Sequence, residues 1–150
     1  MENVTKNNLD LWLEARGIFT TMLNTLKESD LKKKMAPSEN SIGYLVRHIC
    51  DMEMIFVKNA FNPAFEINPI TVNEKKDTGV WTNLNELRSY SDKSFESLKS
   101  ELEKTSNEEW AKVFPSQKLG NKSKAELLAH MVSHTAHHSG QIAMIIKYGK

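Results

Sequence analysis

Apolar positions recur at three- and four-residue steps in four long stretches of the chain, with polar residues filling the intervals. From Val4 to Ser29 the stripe is Leu9, Trp12, Leu13, Phe19, Leu23 and Leu26, an amphipathic helix in which Gly17 is a mild blemish. Pro37, Ser38 and Asn40 or Ser41 supply start signals for a second helix, Ile42 to Ala60, which ends at Asn62-Pro63. Its face is Ile42, Leu45, Val46, Ile49, Met52 and Phe56. Thr82 or Asn83 with Glu86 opens a third helix that reaches about Thr105. One side of it carries Leu84, Leu87, Tyr90, Ser91, Ser94, Phe95, Leu98 and Leu102. Ser123 with Glu126 is a capping-box start for the last helix, which runs to Tyr148 with Gly149 as its stop.

Between these stretches, Pro63 to Trp81 has no helical period. Ile67, Ile70 and Val72 offer a short extended piece, but the segment reads as a long crossing loop, and a loop of that length suggests that it covers something. Ser106 to Lys122 is a second connection with one short helical turn around Glu108 to Lys112. Strand alternation is nearly absent. The pattern therefore predicts a single all-α domain over residues 1–150, a four-helix bundle with a long crossing loop.

The last helix changes the picture, because it carries four of the five histidines. His130, His134 and His138 stand at i, i+4 and i+8, so their rings form one slowly drifting stripe. Leu127, Leu128, Met131, Ile142, Ile145 and Ile146 flank it and point it toward a core or a cleft floor. Imidazoles on such a face suit a divalent metal, zinc or nickel first and iron or manganese after them. Two histidines four residues apart can share one ion, and both His130 with His134 and His134 with His138 have that spacing. A third ligand must come from another helix, where the remaining histidine is His48, on the border of the second helix's buried face. Three histidines leave coordination positions open, the arrangement of a catalytic site that takes water or a substrate oxygen or thiol.

Other residues take lesser roles. Asp51, three residues after His48, together with Glu53 and Gln141, are candidate general bases or hydrogen-bond partners for the ring N–H groups. His137 points about 100° away from His138 around the helix, as a partly exposed residue without a ligand role. Cys50 reads as a small core residue, and Met52, Met131 and Met144 as core filling. Net charge is +1 with opposed charges scattered, which argues against nucleic acid as a principal ligand. One cysteine makes no internal disulfide, and no apolar run approaches the ~18 residues of a membrane span, so a cytoplasmic protein without membrane contact is the default.

The stretch NSIGYLVRHI with its following acidic residues, and LLAHMVSHTAHHSGQI near the end, resemble the DinB/YfiT-like metalloenzymes. The resemblance covers nearly the whole chain, and HTAHHSGQI is its specific part. It implies a four-helix bundle, commonly dimeric, with a three-histidine metal site whose ligands here would be His48, His134 and His138, leaving His130 as a neighbour. The usual element has Arg before Gly-Gln where this chain has Ser139, so any contact made by that Arg is missing. Relatives include thiol-dependent S-transferases and isomerases that use low-molecular-weight thiols such as bacillithiol or mycothiol. The resemblance thus implies a small-molecule substrate and a thiol or water activated by metal, S-transfer before hydrolysis, with a non-catalytic metal- or ligand-binding bundle as the alternative.

Overall fold

The computed structural model describes residues 3–116 and 119–150. Its elements are α1 (Val4–Thr25), α2 (Ile42–Phe56), a π-helical turn (Val57–Phe61), α3 (Ile70–Glu74), α4 (Leu84–Lys104), a 3-10 turn (Asn107–Ala111), β1 (Val113–Ser116), β2 (Gly120–Ser123) and α5 (Lys124–Tyr148). The long helices begin where the capping residues stand: the side chains of Ser41, Asn83 and Ser123 accept the N–H groups of Tyr44, Glu86 and Glu126. Ser123 and Glu126 complete the reciprocal capping box.

The four long helices form a bundle in the cyclic order α1, α5, α2, α4, so α1 and α2 stand on a diagonal. One apolar cluster gathers the C-terminal end of α1 (Phe19, Leu23), the start of α2 (Ile42, Leu45), the start of α4 (Leu84, Leu87) and the end of α5 (Ile142, Ile145). The other gathers Trp12, Phe56, Leu98, Leu102, Leu128 and Met131. Hence α2 and α4 run parallel, and α1 and α5 run against them. Joining two parallel neighbours forces the chain between α2 and α4 to travel back along the whole bundle, and this is the long crossing loop. It is pinned where it returns: a methyl group on Gly43 would lie 1.9 Å from the Trp81 carbonyl oxygen, so only glycine admits the loop there.

Between the two apolar clusters lies a polar belt. Arg16 reaches across the diagonal from α1 to Glu53 on α2, Nε to Oε1 2.6 Å and a second nitrogen to Oε2 3.2 Å. The same guanidinium donates to the Ser91 carbonyl and hydroxyl, while Ser94 donates to Glu53 Oε2 at 2.6 Å. Arg16 and Glu53 are 1% and 0% exposed, so every hydrogen bond here is made without water's help.

Several boundaries depart from the sequence pattern. α1 stops at Thr25, with Leu26 extended and a 3-10 turn at Glu28–Asp30, which brings both Leu26 and Leu31 into the core. Ile70 to Val72 are helical and not extended, because Asp51 caps that turn from outside by accepting the Thr71 N–H at 3.0 Å. The second connection holds a β-hairpin that four-residue strands gave too little alternation to announce. Met131 is buried as expected, whereas Met144 lies 47% exposed on the outer side of α5.

Truncating one partner of the buried pair leaves the other charged and unpaired. Arg16→Met is therefore expected to cost about 3–5 kcal/mol in urea unfolding, and the double change Arg16→Met, Glu53→Leu much less. A single variant within about 1 kcal/mol of the parent protein would refute that account of the belt.

Candidate metal centre

Three imidazoles meet where the antiparallel seam between α2 and α5 crosses the polar belt. His134 and His138 share a face of α5 because four residues make little more than one turn. His48 arrives from α2, 86 residues away in the chain, with its Nε2 3.3 Å from that of His134. His138 Nε2 lies 3.1 Å from His134 Nε2, and one ligating nitrogen from each ring fits within 4.8 Å of the others. His130 stays outside this cluster, one turn toward the start of α5 and exposed, and His137 is exposed beside His138.

The hydrogen bonds fix which nitrogen of each ring faces inward. Thr71 has one hydroxyl hydrogen, which it donates to Asp51 Oδ2 at 2.7 Å. It must therefore accept at its 3.2 Å contact with His48, so His48 carries its proton on Nδ1 and turns a lone pair inward from Nε2. His138 is set the same way, Nδ1–H donating to Gln141 Oε1 at 2.6 Å. His134 is the ring left over: among the described residues its buried Nδ1 has no hydrogen-bond partner.

Burial is the main force on the protonation of all three rings. It pushes His48 down to about 4, helped by the neighbouring His138 and opposed by Asp51. It pushes His134 down to about 3, helped by the other histidines around it, His138 foremost. His138 is also lowered, burial outweighing the opposing hydrogen bond to Gln141. All three rings are thus held neutral, the form that donates a lone pair to a metal.

The donor set fits a divalent cation. Imidazole nitrogens at about 2.0–2.1 Å from a common tetrahedral ion stand about 3.3 Å apart, close to the spacings found here. Without a cation, two lone pairs fixed by Thr71 and Gln141 converge on a third ring that has at most one proton to share between them. A cation among the three Nε2 atoms removes that conflict.

Around the rings the expected residues part company. Asp51 acts on His48 through Thr71 and also holds Arg47 Nε at 2.8 Å and the Tyr90 hydroxyl at 2.8 Å. Burial, then Asp51, keeps that phenol well above its usual range, so Tyr90 stays a donor. Gln141 touches His138 directly. Glu53 does not join the site: two residues after Asp51 it points elsewhere, and its carboxylate is given over to Arg16 and Ser94. Thr71, Tyr90 and Arg16 complete these networks without having stood out as site residues. For Arg16 the signal was its place four residues after Trp12 and three before Phe19, on an otherwise apolar stripe. Arg47 adds a further tie to the crossing loop, through the Asn68 carbonyl at 3.3 Å and the Trp81 ring.

A helix bundle with a half-buried three-histidine centre defines the class, and comparison with known proteins places the chain within it. The chain belongs to the DinB family, whose model matches residues 1–149. Its fold is similar to a DinB-like protein from Bacillus cereus ATCC 10987 (TM-score 0.78, 18% identity, covering 98% of this chain and 93% of that one). It is also similar to a mycothiol-dependent maleylpyruvate isomerase (TM-score 0.74, 16% identity), covering 92% of this chain but 60% of that one. A histidine-to-alanine mutant of that isomerase matches at TM-score 0.75 and 14% identity. No curated protein matches the chain.

If Thr71 holds the His48 ring, Thr71→Val should weaken zinc binding by about 10–100-fold while Thr71→Ser retains it, measured by competition with a chromophoric chelator. Equal affinity in the valine variant would show that the threonine merely packs there.

Proposed function

We propose that this protein is a metal-dependent enzyme in which His48, His134 and His138 hold one divalent cation and a low-molecular-weight thiol is a reactant in S-transfer. The observation that carries this reading is the convergence of the three Nε2 atoms, two of them held lone-pair inward by hydrogen bonds on the far side of the ring. The cation would supply Lewis acidity, lowering the pKa of a thiol or water at its remaining positions. The protein's own residues do the positioning. Asp51 holds Thr71, Thr71 and Gln141 hold the rings, and burial keeps the rings neutral.

A thiol taking part in the reaction would not be the chain's own. Cys50 is fully buried, and burial, then Glu53, pushes it up to about 12, so a thiol nucleophile must come from outside. What favours an external thiol over water is the structural similarity to a mycothiol-dependent isomerase. Zinc or nickel suits three imidazoles best, with iron or manganese next. A cytoplasmic setting, where small thiols stay reduced, suits the reaction; among the described residues no helix is long and apolar enough to cross a membrane. Exposed Leu11 and Ile18 on α1, with Met144 and Tyr148 on the adjoining α5, support assembly as a homodimer.

The test is cobalt-substituted protein, first sized by light scattering and then titrated with N-acetylcysteine. A dimer showing a new sulfur-to-cobalt absorption band, absent with N-acetylserine, is the expected result. A monomer would exclude the proposed assembly, and a spectrum unmoved by the thiol would turn the reading toward hydrolysis or non-catalytic metal binding.

A further inference from the structure

The seam that holds the histidines continues past them. Toward the C-terminal end of α2 and the start of α5 it opens into a half-open cleft of about 590 Å³. Met52, one turn beyond His48, and His130, one turn before His134, stand at its near end, and Val72, next to Thr71, lies beside them. Ile55, Leu127 and Met131 continue a wall that is mostly apolar.

The cleft's other end is different. There α2 loosens into the π-helical turn Val57–Phe61, which brings Lys58 and Asn59 to the lining. A π-helical turn is a rare form that recurs at functional sites. Lys58 is half-buried, its ammonium donates to the Phe65 carbonyl at 3.1 Å, and among the described residues no carboxylate pairs with it. A cation partly withdrawn from water, with neutral partners only, at one end of an apolar cleft is complementary to an anion with an apolar body. The ten residues from His48 to Lys58 correspond to about 15 Å along a helix, the scale of one extended small molecule.

We propose that this cleft binds the substrate that reacts with the thiol, and that the substrate is an amphiphilic organic anion. Its apolar body lies along Met52, Ile55, Leu127 and Met131, its anionic group meets Lys58, and its reactive end faces the histidines. Calling the occupant a substrate rests on the metal-dependent reading above; its binding does not. Lys58 is then a specificity-determining residue, choosing anions over neutral molecules of the same length.

The experiment is calorimetric titration of decanoate, decyl phosphate and decanol into chelator-treated and zinc-loaded protein, with Lys58→Gln beside the parent. The expected result is that the anions bind more tightly than decanol, and that Lys58→Gln weakens anion binding about tenfold while decanol affinity stays unchanged, which also shows that the cleft remains folded. A preference for one anion over the other would identify the head group. Anion binding that ignores the substitution, or no preference over decanol, overturns the proposal. Protein that binds decanoate yet takes up no zinc would overturn the metal-dependent reading and leave the cleft assignment standing. Protein that loads zinc and ignores all three probes would do the reverse.

Discussion

The middle of the bundle is held by one ion pair out of reach of water, Arg16 with Glu53. Alone, such a pair contributes little, since desolvating two charges offsets most of their attraction. Its effect here is on specificity of arrangement. Arg16 on α1 can be satisfied only if α2 presents Glu53 and α4 presents Ser91 at the same level. That requirement fixes the height of three helices against one another, and one of them carries His48.

From that level the polar belt spreads outward through α2. Asp51 and Glu53, both fully buried, lie two residues apart and so face different ways. Glu53 turns to α1 and α4 and serves the bundle. Asp51 turns to α3 and Tyr90, and by holding Thr71 it ties the crossing loop to the ring of His48. A loop that must travel the length of the bundle thereby becomes part of the site's wall. Structure and chemistry meet at one hydroxyl: the Thr71 hydrogen that satisfies a buried carboxylate obliges the same oxygen to accept from the histidine.

The helical architecture was legible in the sequence because three- and four-residue periodicity and capping residues are local signals. Ser41, Asn83 and Ser123 each mark their helix start. The histidine stripe on α5 was equally plain, but spacing could not choose between the two overlapping pairs. That choice depends on where α2 meets α5, a tertiary fact: the packing sets His134 and His138, and not His130, beside His48. What stayed hidden was long-range. α3 forms because Asp51 caps it across 20 residues, although its own Ile-Thr-Val sequence favours extension. Glu53 stood near His48 by helical angle, yet a residue 37 positions away claimed it. Ser91 and Ser94 on an apolar stripe, and Arg16 on another, were the visible traces of the belt that joins them.

If the three rings exist to hold a cation, the metal content of the protein will show it. Protein purified without a polyhistidine tag should carry or take up one divalent ion per chain by elemental analysis, and His138→Ala should lose it while keeping its helical signal. A parent protein that stays metal-free through titration with zinc, nickel and manganese would contradict that role. The convergent rings would then be packing, and the cleft beside them the site to pursue.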